Sequence, residues 1–302
     1  MRTISDYLMR GRRGQVWVFV AILMVCLLGI LALAIDGGSA YLARRQAQNA
    51  ADAGALAGAR LLALGATPAE VEAVATQYAV QRNGADSCQV AIAGDTVTVT
   101  ATKHIAMYFA PIVGISEMTP SARAKARYGA PQQVDGLAPI AVKDFAYALN
   151  EIYTIWDDDS IEPDPETTHE IAGSYRGWLN LGCVYPASCS TSNDDLKNWM
   201  LNGYPGFILA GSWLYGDPGT RSSAIQQAQV GQILKVAVYD SVQELYPGKP
   251  YFHIKKFAVF EVTEVIPTGF PKGIRGKFIR SVDIGELGGT SDGGLRVVKL
   301  VQ

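Results

Sequence analysis

The sequence contains few of the residues that usually build a catalytic or metal site. It has three histidines, His104, His169 and His253, which lie far apart along the chain. It has no Cys-x-x-Cys and no His-Glu-x-x-His motif, and no serine stands in a nucleophile-elbow pattern. We therefore expect that the protein is not an enzyme and that it needs no cofactor.

Charge of either sign is also scarce. Charged residues make up 18% of the chain, the formal net charge is -2, and the sequence pI is about 6.0. A nucleic-acid-binding protein usually carries a basic patch interleaved with aromatic residues, and the sequence has none. We expect no nucleic-acid partner.

Charge and proline are both absent from residues 16–35, which read VWVFVAILMVCLLGILALAI. Twenty residues rise about 30 Å as a helix, which is the thickness of the hydrocarbon core of a bilayer. A core helix of a soluble protein would keep polar residues on one face, and no face is polar here. We predict that this segment is a single transmembrane helix.

The residues that flank the span predict its orientation. Four arginines precede it, opposed only by Asp6, while Asp36 follows it; the arginines are Arg2, Arg10, Arg12 and Arg13. Basic residues near a span remain in the cytoplasm, so we expect a cytoplasmic tail over residues 1–15 and an exported body. The sequence Ala32-Leu33-Ala34 also fits a signal-peptidase site, which leaves cleavage after Ala34 as an alternative.

The residues after the span continue the helical pattern. Residues 36–64 are rich in alanine, and only Gly37-Gly38 could interrupt one helix over residues 16–64, about 73 Å long. Small residues permit close approach of another helix, and the candidates for this packing are Ala47, Ala51, Gly54 and Gly58. Either the next helix of the same chain or the helix of another protomer could pack there.

The next segment, which completes residues 36–128, predicts a small α+β module. Thr67-Pro68-Ala69-Glu70 is a strong helix start, and we expect the helix to end at Gly84. Alternating runs on either side of Gly94-Asp95 predict a hairpin. With a helix-like run at 105–113, broken by Pro111, and a strand at 121–128, the order is helix, helix, strand, strand, short helix, strand.

Residues 129–139 are rich in glycine and proline and predict a linker, and residues 140–302 predict a mostly β domain. We expect short helices at 194–201 and 220–230. The expected strands are 232–239, 251–266, 274–282 and 295–301. The apolar positions change parity across Lys255-Lys256, which predicts a bulge. The fold class is α+β, with a long N-terminal transmembrane and stalk helix, the α+β module and the β domain.

Two further sites are suggested in the β domain. Four carboxylates could bind calcium; they are Asp157, Asp158, Asp159 and Glu162. The segment lacks the EF-hand pattern, which favours the alternative of a solvated acidic loop. Cys183 and Cys189 flank a tight loop on the side of the membrane where disulfides persist, so they predict a bridge; the alternative is two small buried residues.

Three blocks of the N-terminal sequence resemble the TadE/TadG-like proteins, membrane components of the tight-adherence (Flp pilus) machinery. They are RRGQ at 12–15, AIDGG at 34–38 and YLARRQAQNAADAGALAGA at 41–59. The resemblance implies a protein of the bacterial cytoplasmic membrane that acts in pilus assembly or adherence through an exported, non-catalytic domain. Its expected partners are the membrane and either pilus-assembly components or a cell-wall or surface ligand, with self-association through the alanine-rich helix as a further expectation.

One departure from the family pattern bears on processing. Minor pilins of that machinery are cut after a glycine and carry glutamate at the fifth mature position. A cut after Gly14 would place Phe19 there. This favours an anchored protein that is not cut, and the alternative is a subunit of an extracellular filament with helix 16–64 as its core.

Overall fold

A computed structural model describes most of the chain, namely residues 12–156, 170–172, 178–184, 191–216, 222–246, 249–268 and 272–301. The chain divides into two compact units that are discontinuous in sequence. The first runs to Ala55 and also contains Ala73–Ala91 and Thr98–Ala124. The second contains Leu56–Glu72, Ile92–Val97 and the chain from Lys125 onward.

The helices have the following bounds. They are α1 Arg12–Leu64, α2 Pro68–Thr76, α3 Asn193–Asn202 and α4 Ser222–Ile225. A π-helical turn, Gln77–Arg82, follows α2, and a 3-10 turn spans Ala110–Val113.

The strands up to the end of the acidic region are β1 Ser87–Ala93, β2 Thr96–Thr102, β3 Ile105–Ala106, β4 Glu117–Met118, β5 Ser121–Gly129, β6 Gln133–Val134, β7 Leu137–Lys143, β8 Ile152–Trp156 and β9 Glu170–Ala172. The later strands are β10 Leu179–Val184, β11 Ile208–Leu209, β12 Trp213–Gly216, β13 Ile233–Tyr246, β14 Lys249–Ile266, β15 Gly273–Ile279, β16 Ser281–Asp283 and β17 Leu295–Val301. A long apolar helix followed by a strand-rich region confirms the predicted α+β class.

Helix α1 is continuous through Gly37-Gly38, as predicted. Its alanine content favours helix strongly enough to carry two neighbouring glycines, each of which costs about 1 kcal/mol relative to alanine. The capping box predicted for α2 is present: the Glu70 amide donates to the Thr67 hydroxyl at 3.4 Å, and the Thr67 amide donates to the Glu70 carboxylate at 2.8 Å.

A five-stranded sheet has the order β1-β2-β5-β17-β16. Strands β1 and β2 are the predicted hairpin, and β2 alternates buried and half-buried residues as an amphipathic strand should. The last strand, β17, pairs antiparallel with β5, from Val297 opposite Gly129 to Val301 opposite Lys125. The end of the chain therefore completes a sheet that begins before residue 100.

The eight-stranded sheet is built on β14. Strand β13 runs along one edge of β14 and also pairs in parallel with β7, while β12 and β15 pair in succession along β14. The register between β13 and β14 shifts at one point: Val238 lies opposite Lys256, but the next residue, Tyr239, lies opposite Ile254. Lys255 is therefore the extra residue on β14. The bulge predicted at Lys255-Lys256 is thus present.

Both faces of this sheet are buried. Along β13, Val236 and Val238 belong to one apolar core, together with α3 and α4, whereas Ala237 and Tyr239 belong to another. Successive side chains of a strand point to opposite faces, so the alternation requires a core on each side.

Several boundaries differ from the sequence prediction. Residues 129–139, predicted as a linker, contain β6 and the start of β7, and Leu137 is fully buried. The predicted strand 274–282 is two strands in different sheets, β15 and β16. The helix predicted at 220–230 is the single turn α4, and the helix-like run 105–113 is strand β3 followed by the 3-10 turn.

Candidate functional site: helix α1 and the turn bound to Asp36

The first half of α1 presents its large apolar side chains to the outside on all faces. Trp17 is 75% exposed and Leu33 is 76% exposed. Among the described residues, one helix is long and apolar enough by length and composition to cross a membrane; it is the stretch Val16–Leu64 of α1, and its most apolar window is not buried in the fold. The described part of the chain does not supply the apolar environment that these side chains require.

The second half of α1 buries one face made of small residues. All four predicted packing residues, Ala47, Ala51, Gly54 and Gly58, are buried. A Cβ atom built on Gly54 would lie 2.9 Å from the carbonyl oxygen of Ala75, 3.2 Å from Cβ of Ala79 and 3.4 Å from Cγ1 of Val99. At Gly54 this face therefore packs on α2, the π-helical turn and strand β2 of the same chain. The absence of a side chain on Gly54 permits this close approach.

The two halves of α1 meet at Asp36, which is only 8% exposed. Its carboxylate accepts three backbone hydrogen bonds from residues at and just before the start of the 3-10 turn: from the amides of Tyr108 at 2.9 Å, Phe109 at 3.0 Å and Ala110 at 2.7 Å. The N–H groups at the start of a helix have no partner within it, so they need an acceptor from elsewhere. A side chain more than 70 positions earlier therefore caps the turn.

The same contacts decide the charge of Asp36. Burial raises the pKa of this carboxyl group, but the three backbone hydrogen bonds together lower it further, so that the net pKa lies below the ordinary value of 3.8. Asp36 is thus an anion at neutral pH. A carboxylate at the end of the apolar segment of α1 is tolerated because amide dipoles replace the water it has lost.

The sequence indicates only that Asp36 is the charged residue directly after the span, and it does not identify the amides that Asp36 binds. The available signal was the absence of charged residues from Met107 to Ser116, a stretch that overlaps the predicted helix-like run at 105–113. Within the same unit, Arg44 donates from its guanidinium to the carbonyl oxygen of Ser121, which provides a second link between α1 and the strands.

The remaining predicted sites are only partly described. The candidate calcium ligands Asp157, Asp158, Asp159 and Glu162 lie outside the described residues, as does Cys189. Cys183 is buried and disulfide-bonded, whereas Cys26 and Cys88 are free. Pairing of Cys183 with Cys189 remains a prediction.

The histidines that are described have ordinary polar partners. His104 Nδ1 lies 3.1 Å from the Thr119 hydroxyl, and His253 Nδ1 lies 2.7 Å from the Asp240 carboxylate. Among the residues described, no group of three or more His, Cys, Asp or Glu side chains could hold a metal ion.

The exposed apolar segment of α1, together with the folded body that begins after it, fits a membrane-anchored protein with a single N-terminal helix. Residues 14–61 match the model of the Tad family, described as "Putative Flp pilus-assembly TadE/G-like". The match lies entirely within α1 and confirms the resemblance inferred from the sequence. Comparison with curated proteins and with solved structures gave no match.

Proposed function

We propose that this protein is a single-pass envelope protein of the Flp/Tad pilus machinery, with a cytoplasmic N-terminus and an extracytoplasmic body that acts by binding, not by catalysis. Its partners are pilus-assembly components or a cell-wall or surface ligand. The observation that carries the proposal is the continuity of α1, because a helix with an apolar half exposed on all faces enters a folded α+β unit without a break.

The Tad match covers this helix and supports the pilus context. The orientation rests on the four arginines before the span, since basic residues near a span remain in the cytoplasm. The binding role rests on the wide spacing of the histidines and on the absence of the common catalytic motifs from the sequence.

The alternative, a filament subunit, requires the helix over residues 16–64 to bundle with other copies. Much of its small-residue face is already used within the chain, because Ala47, Ala51 and Gly54 are buried and Gly54 lies against Ala75 and Ala79. The exposed part of this half of α1 carries Tyr41, Leu42 and Leu56, but Arg45 and Arg60 are also exposed and interrupt the apolar surface. The anchored protein is therefore the better-supported function.

Proteolysis of intact cells tests the proposal. The full chain is expressed with one epitope tag at each end, and spheroplasts are treated with protease before and after lysis. The C-terminal tag should be lost from intact spheroplasts while the N-terminal tag is lost only after lysis. A C-terminal tag that survives in intact spheroplasts would refute the orientation.

Fractionation distinguishes the anchored protein from the filament subunit. Full-length protein, with an N-terminus shown by mass spectrometry to precede Gly14, should remain in the membrane fraction. Recovery of a chain cut after Gly14 in sheared extracellular fibres would establish the filament subunit, and a chain cut after Ala34 would establish a signal peptide.

A further inference from the structure

The turn that Asp36 caps is an uncharged apolar loop. Residues 107–116 read MYFAPIVGIS, and the short strands β3 and β4 pair at its base, with Ile105 opposite Met118. Met107 at its base is buried, but large side chains nearer the tip are not: Tyr108 is 74% exposed and Ile112 is 86% exposed. An exposed group of large apolar residues in one loop indicates a surface that meets something other than water.

The loop lies beside the most apolar part of α1. Together they line a groove, formed on the helix side by Val25, Leu28, Gly29, Ala32 and Leu33 and on the loop side by Phe109, Ala110 and Ile112. Leu28 precedes the end of the span by seven residues, which places it about 10 Å inside that end. If residues 16–35 cross the bilayer, the tip of the loop is at the depth of the lipid.

The backbone of the loop is suited to that depth. A backbone N–H or C=O group without a partner is very unfavourable in hydrocarbon, so irregular chain is tolerated there only when its polar groups are bonded. Asp36 accepts the amides of residues 108–110, and Pro111 has no N–H. The next amides bond within the loop: Ile112 to Phe109 O at 3.1 Å, Gly114 to Pro111 O at 3.0 Å and Ile115 to Ala110 O at 3.1 Å.

We infer that the loop 107–116 is immersed in the leaflet at which the span ends, where lipid acyl chains fill the groove between the loop and α1. The inference rests on the proposed anchoring by residues 16–35. The loop then forms a second attachment to the same bilayer. Because Asp36 joins it to α1, the two attachments fix the height of the first unit over the membrane.

Site-directed fluorescence in proteoliposomes tests this inference. The free cysteines are first removed as Cys26→Ala and Cys88→Ser, and Cys183 stays protected in its disulfide. An environment-sensitive nitrobenzoxadiazole label is then attached to Ile112→Cys or to the control Ala91→Cys, an exposed position on β1 in the same unit. Label emission is recorded with iodide as the aqueous quencher and with nitroxide-labelled acyl chains as the lipid quencher.

The label at position 112 should emit at shorter wavelength than the label at position 91. The lipid nitroxide should quench it several-fold more strongly, and iodide several-fold less. Equal quenching at the two positions would overturn the inference. Protection from iodide without quenching by the lipid nitroxide would also overturn it, because it would show that a second protein copy covers the loop.

Flotation on a density gradient separates this outcome from a failure of the anchor. Protein that floats with the liposomes but has an iodide-accessible label at position 112 contradicts only the lipid-immersed loop. Protein that does not float contradicts the anchor and the loop together. Ile115→Cys, at a second exposed position of the loop, should repeat the result for Ile112→Cys and guards against a local effect of one substitution.

Discussion

Replacement of Gly54 by alanine should destabilise the protein, although alanine is the better helix former. In an isolated helix the change stabilises by about 1 kcal/mol. Here the new methyl group would lie 2.9 Å from the carbonyl oxygen of Ala75 and 3.2 Å from Cβ of Ala79. The first distance is shorter than a carbon–oxygen contact permits, and the obstacle is backbone, so α1 and α2 must move apart.

The size of the effect follows from these two opposing contributions. Inserting a methyl group into a well-packed interface typically costs about 1–3 kcal/mol. Subtracting the gain in helix propensity leaves a net destabilisation of about 1 kcal/mol. The control is Gly38→Ala on the same helix, because a Cβ at Gly38 has nothing within 4 Å and only the stabilising contribution remains. The two variants should therefore differ by about 2 kcal/mol, or about 4–8 °C in Tm.

Near-ultraviolet circular dichroism of the full chain in detergent micelles would measure both Tm values against the unsubstituted protein. Gly54→Ala should melt below it and Gly38→Ala at or above it. Gly54→Val should be lower than Gly54→Ala, because valine adds volume and a lower helix propensity. If Gly54→Ala and Gly38→Ala shift the Tm in the same direction by the same amount, the close packing of α1 on α2 at Gly54 is refuted.

Three other changes have defined outcomes. The pKa of Asp36 is lowered, so its hydrogen bonds to the turn stabilise the fold at neutral pH. This stabilisation is lost as the pH falls below 3.8 and through the folded-state pKa, and Asp36→Asn should therefore reduce the loss of Tm in acid. Asp144 accepts from two lysines, at 2.6 Å from Lys255 and 2.7 Å from Lys256. Asp144→Ala should lower the Tm more than Lys255→Ala, since it also leaves the nearly buried Lys256 without this anion. Peptide mapping without reduction should find Cys183 linked to Cys189, and reduction should destabilise the protein by about 2 kcal/mol because a short loop is closed; an unlinked Cys189 would refute that pairing.

The features that the sequence predicts well are those determined by neighbouring residues. The capping box at Thr67 and Glu70, the hairpin about Gly94-Asp95 and the last strand are each set by local chemistry and side-chain alternation. The bulge at Lys255 was predictable for the same reason, because a change in the parity of apolar positions requires an extra residue.

The features that it does not predict depend on partners far away in the chain. Alternation identifies β17 as a strand, but nothing local indicates that it pairs with β5, and the parallel pairing of β13 with β7 is equally remote. The interpretation of 129–139 as a linker followed from its glycine and proline content, and long-range pairing overrides that preference. The contacts of Asp36 are unpredictable for the same reason, since the amides it binds are more than 70 residues away.

The position of Asp36 also bears on how far the folded body stands from the bilayer. The next buried residue of α1 after Asp36 is Ala43, seven residues later, or about 10 Å along the helix. From Ala43 to Ala63 the buried face of α1 is core of the fold, so little of the helix is left as a free stalk. Under the proposed anchoring by residues 16–35, the body begins within two helical turns of the lipid. A carboxylate at this point of α1 needs hydrogen-bond donors, because the apolar side chains before it and the alanine face after it offer none. The amides of residues 108–110 supply them. The sequence AIDGG therefore places its one charge where α1 changes from an exposed apolar segment to a helix that is buried on one face.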